Sequence, residues 1–136
     1  MIPNGTRILV IDDMSMMRSL LKGQLRQMGL TDIFDAENGQ KGFDILTQQL
    51  AAKKPIDMVL SDWNMPVMTG IELLKRVRAM PEFENLPFVL ITAEGEADQV
   101  KEAIDSKVSN YIKKPITPAL VQEKIAAVWK KYHPEG

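Results

Sequence analysis

Four short apolar runs alternate along the chain with stretches of helical periodicity, and each run ends in polar residues. Residues 8–11 lead into Asp12-Asp13, residues 58–60 into Ser61-Asp62, residues 88–91 into Thr92, and residues 111–112 into Lys113-Lys114-Pro115. Strands that alternate with helices predict a mostly parallel sheet covered on both faces. Open sheets of this type bind ligands outside the carboxyl ends of their strands. We therefore expect these polar side chains to collect at one edge of the sheet.

Apolar periodicity and helix-capping residues predict five strands and five helices in strict alternation. The predicted strands run from about Arg7 to Asp12, Asp32 to Ala36, Asp57 to Asp62, Phe88 to Thr92 and Asn110 to Lys113. The predicted helices run from about Ser15 to Met28, Gln40 to Ala52, Gly70 to Arg78, Ala97 to Ser106 and Pro118 to Tyr132, with Ser15 and Thr117 as N-caps. On the fourth helix we expect Val100, Ala103 and Ile104 on the buried side.

The composition of each strand indicates its place in the sheet. The first, third and fourth predicted strands are apolar on both faces, which is typical of interior strands. The mixed second and fifth strands belong nearer the edges. Right-handed crossovers then favour the order 2-1-3-4-5. The predicted fold class is α/β, a doubly wound parallel five-stranded sheet with (βα)5 connectivity.

The composition is typical of one soluble domain. A chain of 136 residues without an internal repeat or linker is interpreted as a single domain, residues 1–136. A net charge of -1 offers no basic excess for binding nucleic acid. The absence of Cys excludes disulfides and thiolate metal sites and fits a reducing cytoplasm. Without a signal peptide or a long apolar run, we expect a cytoplasmic monomer that does not insert into membranes.

Three of the polar residues at the predicted edge are acids: Asp12, Asp13 and Asp62. Carboxylates that share a crevice raise one another's pKa unless a cation compensates them. Mg2+ suits such a site, because it prefers oxygen ligands and is often held by one or two carboxylates and phosphate oxygens. A phosphoryl group on Asp62 would need this cation, the ammonium of Lys114 and a hydrogen bond from Thr92. The pattern therefore predicts Mg2+ beside a carboxylate that accepts a phosphoryl group.

Each of these residues also has an ordinary structural interpretation. Asp12-Asp13 suits a turn at a strand end, Thr92 suits an N-cap, and Lys114-Pro115 suits an exposed turn. The functional interpretation is favoured because all of them follow predicted strands at the same edge.

Several motifs of the chain match one known family. They are Val10-Ile11-Asp12-Asp13, Ser61-Asp62-Trp63-Asn64-Met65-Pro66, Gly70, Thr92-Ala93-Glu94, Tyr111-Ile112 and Lys114-Pro115-Ile116-Thr117. The chain resembles the receiver domain of two-component response regulators, and among them the single-domain chemotaxis type, the CheY-like proteins. The resemblance covers essentially the whole chain and implies the flavodoxin-like receiver fold. The family is known to have the strand order 2-1-3-4-5. The resemblance therefore rests on the motifs and not on this order.

The resemblance implies a role for each acid. Asp62 is expected to be the phosphoacceptor. Asp13 and Asp62 are expected to bind Mg2+ directly, together with the backbone carbonyl of Asn64, and Asp12 is expected to help through water.

The resemblance also implies a switch. Thr92 and Lys114 are expected to contact the phosphoryl group. Thr92 and Tyr111 are expected to form a switch pair that reports phosphorylation on the face made by the fourth helix, the fifth strand and the fifth helix. The Lys114–Pro115 bond matches a bond that is cis in the family.

The chain departs from the chemotaxis pattern in three places. Thr69 stands where many members have an acid, and Lys107-Val108 replaces a turn rich in Ala and Gly. The region of the fourth helix is acidic where motor-binding regulators often carry lysines, through Glu94, Glu96, Asp98 and Glu102. This acidic region bears on motor binding rather than on phosphorylation.

We expect a phosphorylation-controlled signalling switch that receives its phosphoryl group from a histidine kinase. Its expected partner is a flagellar motor switch protein or another downstream protein, and a phosphorelay intermediate and a phosphate sink remain alternatives. An aspartyl-phosphate phosphatase-type enzyme is more distant, because such enzymes usually carry Asp-x-Asp where this chain has Asp12-Asp13. A flavodoxin-like cofactor binder would need a phosphate-cradling loop there, and these acids would repel a phosphate.

Overall fold

The computed structural model of the chain describes residues 2–93 and 97–133, which form strands and helices in alternation. The strands are β1 (Arg7–Ile11), β2 (Asp32–Ala36), β3 (Met58–Asp62), β4 (Phe88–Thr92) and β5 (Asn110–Lys113). The helices are α1 (Ser15–Gln27), α2 (Gly39–Ala51), α3 (Gly70–Arg78), α4 (Ala97–Asp105) and α5 (Pro118–Tyr132). A short 3-10 helix, Pro81–Phe83, was not predicted. Within the described residues, no helix is long and apolar enough to cross a membrane.

All five strands pair in parallel in the order β2-β1-β3-β4-β5, which confirms the predicted fold class and strand order. The register sets Ile11 opposite Ser61, Asp62 opposite Ile91, and Thr92 opposite Lys113. The carboxyl ends of the strands therefore meet at one edge, as predicted.

The two faces of the sheet carry separate apolar cores, because successive side chains of a strand point to opposite faces. In β1, Leu9 and Ile11 belong to one core, and Ile8 and Val10 belong to the other. Side chains of α2, α3 and α4 cover the first core, and side chains of α1 and α5 cover the second. Strands β3 and β4 are buried along their whole length, as the apolar composition of both their faces predicts.

Two local predictions were wrong. Ser15 is not the N-cap of α1: it is the first helical residue, and the extended Met14 occupies the cap position. Ile104 is 61% exposed, whereas its neighbour Ala103 is 1% exposed. The small Ala103 side chain packs against the core. Ile104, the next residue around the helix, lies outside that contact. The predicted N-cap of α5 is confirmed, since the Thr117 side chain accepts a hydrogen bond from the Leu120 amide at 3.1 Å.

The turn from α4 to β5 places a lysine in the left-handed region of backbone conformation. Lys107 has a φ of 64°. The Lys107 amide donates to the Ile104 carbonyl at 3.0 Å, and the Val108 amide donates to the Ala103 carbonyl at 3.1 Å. This pair of bonds is the Schellman ending of a helix, whose left-handed position favours glycine. The family's small residues in this turn suit that geometry, and the lysine adopts it at a steric cost.

We predict that Lys107→Gly stabilises the protein. Removing the Cβ relieves the steric strain of the left-handed conformation. Glycine also has greater freedom in the unfolded chain, which offsets part of this gain. The net gain in the free energy of unfolding should be about 1 kcal/mol. Urea denaturation measures it. The matched control Lys101→Gly, within α4, should lose a similar amount, because glycine is a poor residue inside a helix. Equal losses in both variants would contradict the prediction.

Candidate functional site

The structure brings the three predicted acids together at the carboxyl ends of β1 and β3. Asp12 directly follows β1 and is 1% exposed, Asp13 is exposed, and Asp62 ends β3 and is 6% exposed. Each contributes one carboxylate oxygen to a group whose atoms all lie within 4.8 Å of one another. Two buried carboxylates and one exposed carboxylate thus form a cluster, the acidic pocket, whose solvent-exposed member is Asp13.

Backbone amides hold the two buried carboxylates in place. The Met14 amide donates to Oδ1 of Asp12 at 2.9 Å, and the Trp63 amide donates to Oδ1 of Asp62 at 3.0 Å. The other oxygen of Asp12, Oδ2, is buried and has no hydrogen-bond donor in the described part of the chain. A buried carboxylate oxygen without a donor is costly, and a cation with oxygen ligands would satisfy it. The pocket therefore fits Mg2+.

Lys114 supplies a positive charge to the pocket from the end of β5. Its Nζ lies 3.3 Å from Oδ1 of Asp62. The Lys114 amide donates to the Thr92 carbonyl at 2.8 Å, which fixes the backbone of this segment against the end of β4. The Lys114–Pro115 peptide bond is cis, as the resemblance implied. The ammonium therefore contacts the acid that is expected to receive the phosphoryl group.

Burial and mutual repulsion dominate the electrostatics of the pocket. Burial raises the pKa of Asp12, and the nearby Asp13 carboxylate adds to the rise, while the Met14 amide and Lys114 oppose it. Burial also raises the pKa of Asp62, Asp12 raises it further, and Lys114 and the Trp63 amide oppose the change. Both shifts remain upward, so one ammonium does not compensate the carboxylates. A divalent cation would supply positive charge that balances these carboxylates.

The structure places the other predicted residues around this pocket. Thr92 ends β4 and is 5% exposed. Asn64 is exposed in the loop after β3, two residues beyond Asp62. Tyr111 is half-buried in β5, and Nζ of Lys124 lies 5.9 Å from the centre of its ring. The tyrosine therefore lies on β5 beside α5, on the predicted output face, rather than in the acidic pocket.

The acidic region predicted around α4 is only partly described. Glu94, Glu96 and the side chain of Asp98 lie outside the described residues. Glu102 forms an ion pair with Lys75, whose Nζ lies 2.8 Å from Oε2 of the glutamate. The charge of Glu102 is thus balanced by α3, which weakens its contribution to an acidic surface.

The start of α3 holds the backbone of Asp62 close. A Cβ on Gly70 would lie 2.2 Å from the Asp62 carbonyl oxygen, so only glycine fits there. The Gly70 amide donates to the Trp63 carbonyl at 2.9 Å. Thr69 caps α3 and forms a capping box with Glu72. This cap was not predicted, although the spacing Thr-x-x-Glu is the pattern that indicates one.

The comparisons with known proteins identify the family. The response regulator receiver domain family matches residues 8–126, so the chain belongs to this family. It is 39% identical over 122 residues to the chemotaxis protein CheY homolog of Campylobacter jejuni, covering 90% of this chain and 91% of that protein. It is 39% identical over 125 residues to the chemotaxis protein CheY-3 of Vibrio cholerae, with 92% of each chain covered. These findings confirm the resemblance.

Solved structures show the same fold. The chemotaxis response regulator CheY4 of Vibrio cholerae superposes with a TM-score of 0.80 and is 26% identical, covering 91% of this chain and 98% of that one. A CheY-like receiver domain protein from Methanospirillum hungatei superposes with a TM-score of 0.83 at 22% identity, covering 97% of this chain and 99% of that one.

We predict that Asp62→Asn stabilises the protein at neutral pH in the absence of divalent cations. The pKa of Asp62 is raised above its ordinary value of 3.8, so the folded state binds the proton more tightly than the unfolded state does. Stability is therefore lost as the pH rises through the folded pKa, and asparagine removes this loss. Thermal unfolding should show a higher midpoint for the variant at neutral pH.

The difference should shrink as the pH falls towards about 4, where the aspartate becomes protonated in both states. Asp44→Asn, at an exposed position on α2, is the matched control and should show no such pH-dependent gain. A midpoint for Asp62→Asn equal to or below that of the parent at neutral pH would contradict the electrostatic account.

Proposed function

We propose that this chain is a phosphorylation-controlled signalling switch in which Asp62 accepts a phosphoryl group from a histidine kinase. The observation that carries the proposal is the cluster of Asp12, Asp13 and Asp62 within 4.8 Å, with Lys114 at 3.3 Å from Asp62. This arrangement is costly as a purely structural feature, because both buried acids have raised pKa values. It is useful if a cation and a phosphoryl group bind there.

Asp13, Asp62 and the backbone carbonyl of Asn64 would hold Mg2+, and Asp12 would support it through water. When bound, the ion neutralises charge on the carboxylates and on the phosphoryl oxygens. The unsatisfied Oδ2 of Asp12 supports this role, because it can accept a hydrogen bond from a water on the ion.

Phosphoryl transfer needs positioning more than covalent help from other side chains. A carboxylate oxygen of Asp62 forms the new O–P bond as the N–P bond to the donor histidine breaks, and the imidazole leaves with the bonding electron pair. Lys114 then pairs with a phosphoryl oxygen, and the Thr92 hydroxyl donates a hydrogen bond to another. The backbone amide of Trp63 keeps the acceptor carboxylate oriented.

The output is proposed to act on a partner in chemotaxis, because the relatives with high coverage are chemotaxis proteins. Thr92 would move towards the phosphoryl group and Tyr111 would turn inward, which changes the face made by α4, β5 and α5. A flagellar motor switch protein is the partner that we propose for this face. We propose that residues 1–136 act as one receiver domain.

We predict that a small phosphodonor such as acetyl phosphate adds one phosphoryl group to the chain, and only with Mg2+ present. Intact-mass analysis and peptide mapping should locate it on Asp62. Asp62→Asn should lose labelling at this position, and Asp13→Ala should lose the dependence on Mg2+ together with most of the labelling. Lys114→Ala should still bind Mg2+ but transmit the signal poorly, because the phosphoryl oxygen loses its ammonium partner.

Asp44→Asn is the control for the loss of an acid, and its labelling should equal that of the parent. Full labelling of the Asp62→Asn variant would overturn the assignment of the phosphoacceptor. Labelling of the parent that is independent of Mg2+ would overturn the proposed role of the acidic pocket.

We predict that phosphorylation strengthens binding to the flagellar motor switch protein at least about fivefold, the lower end of typical couplings between two sites. Titration of the phosphorylated and unphosphorylated chain measures the ratio of the two affinities. Tyr111→Ala should reduce this ratio while labelling of Asp62 persists. Equal affinities of the two forms would favour the alternative of a phosphate sink.

A further inference from the structure

Arg18, on the first turns of α1, joins three segments of the chain beside the acidic pocket. Its Nη1 donates to the backbone carbonyl of Asp12 at 2.7 Å, and its Nε donates to Oδ2 of Asp35, in β2, at 3.1 Å. Its side chain is 17% exposed. Long side chains on a helix lean towards its amino end, which brings this guanidinium back over the loop that carries the two acids.

The position of this arginine is unfavourable for α1 considered alone. Cations are disfavoured near the amino end of a helix, where the backbone dipole is positive, and no acidic residue lies in the first turn of α1. The charge is balanced outside the helix: Arg18 pairs with Asp35, and it also lowers the pKa of Glu37 after the larger effect of Lys41. The side chain is thus held by contacts with the β1–α1 loop and with β2.

Both sides of the Asp12 backbone are fixed by these contacts. The Asp12 amide donates to the Ala36 carbonyl at 3.1 Å, and the Asp12 carbonyl accepts from Arg18. The Met14 amide then binds Oδ1 of Asp12, which leaves Oδ2 as the buried oxygen without a donor among the described residues. The orientation of the two adjacent acids therefore depends on where this peptide segment is held.

We propose that Arg18 is a positioning residue for the cation site: by binding the Asp12 carbonyl, it sets the orientation of Asp12 and Asp13 for Mg2+. The inference rests on the proposed function of the acidic pocket. Arg18 acts through the backbone, because its hydrogen bond to Asp12 goes to the backbone carbonyl. Groups that orient metal ligands from outside typically change metal affinity about tenfold to a hundredfold when they are removed.

Lys22 offers a matched control on the same helix, one turn further along. Its Nζ lies 3.4 Å from the same Oδ2 of Asp35, and the Asp12 carbonyl is held by Arg18 rather than by this lysine. Arg18→Met and Lys22→Met each remove one positive charge and one ion pair with Asp35 while keeping an apolar stem. Only Arg18→Met removes the hydrogen bond to the Asp12 backbone. Arg18→Lys keeps the charge and one donor group.

The experiment titrates Mg2+ into the full chain and follows tryptophan fluorescence, since Trp63 directly follows Asp62. Urea denaturation without Mg2+ gives the stability of each variant. Arg18→Met should raise the Kd for Mg2+ about tenfold, Lys22→Met should leave it within about twofold of the parent, and Arg18→Lys should fall between them. Stability should fall more in Arg18→Met than in Lys22→Met, because Arg18→Met loses the hydrogen bond to the Asp12 carbonyl in addition to one ion pair.

An unchanged Kd in Arg18→Met, or an equal rise in Arg18→Met and Lys22→Met, would overturn the positioning role. If Arg18→Met does not fold, the Kd of Arg18→Lys decides, and a value equal to that of the parent counts against the proposal. The proposed function fails in a different way: the parent and Asp13→Ala would then respond to Mg2+ identically.

Discussion

The parallel pairing of β1 with β3 is the constraint on which the rest of the site depends. Ile11 lies opposite Ser61, so the residues that follow, Asp12 and Asp62, leave the sheet side by side. Both faces of these strands are buried, and a slip of one residue would exchange the side chains between the two cores. The apolar core therefore fixes the register, and the register forces the two carboxylates together whether or not their charges are compensated.

This arrangement places an electrostatic cost at one edge of an otherwise well-packed domain. Burial raises the pKa of Asp12 and of Asp62, and Lys114 only partly offsets the effect. The cost is tolerated because the apolar faces on both sides of the sheet supply most of the stability. A cation or a phosphoryl group bound at this edge would change this electrostatic cost. Such a site is suited to control a switch between two conformational populations.

The alternating strands and helices were predicted from the sequence. Features that depend on the contacts of single side chains were missed. The strand order, the edge that carries the site and the position of each acid follow from short apolar runs, from helical periodicity of 3.6 and from right-handed crossovers. The cap at Thr69 was readable from its spacing with Glu72 but was overlooked. The exposure of Ile104 depends on how α4 packs, and the reach of Arg18 to Asp12 depends on a rotamer, so neither follows from the spacing of residues.

Two of the three departures from the family pattern fall where backbone geometry, rather than charge, sets the requirement. Thr69 replaces an acid, yet its hydroxyl caps α3, which is the task that an aspartate would also perform there. Lys107 replaces a small residue and adopts the same left-handed turn at a steric cost. By contrast, the three acids and Lys114 cannot be exchanged for residues of the same shape, because their charges define the pocket. The departures at Thr69 and Lys107 thus leave the residues of the acidic pocket unchanged, and the third departure, the acidic residues around α4, changes the charge of the face that we propose for output.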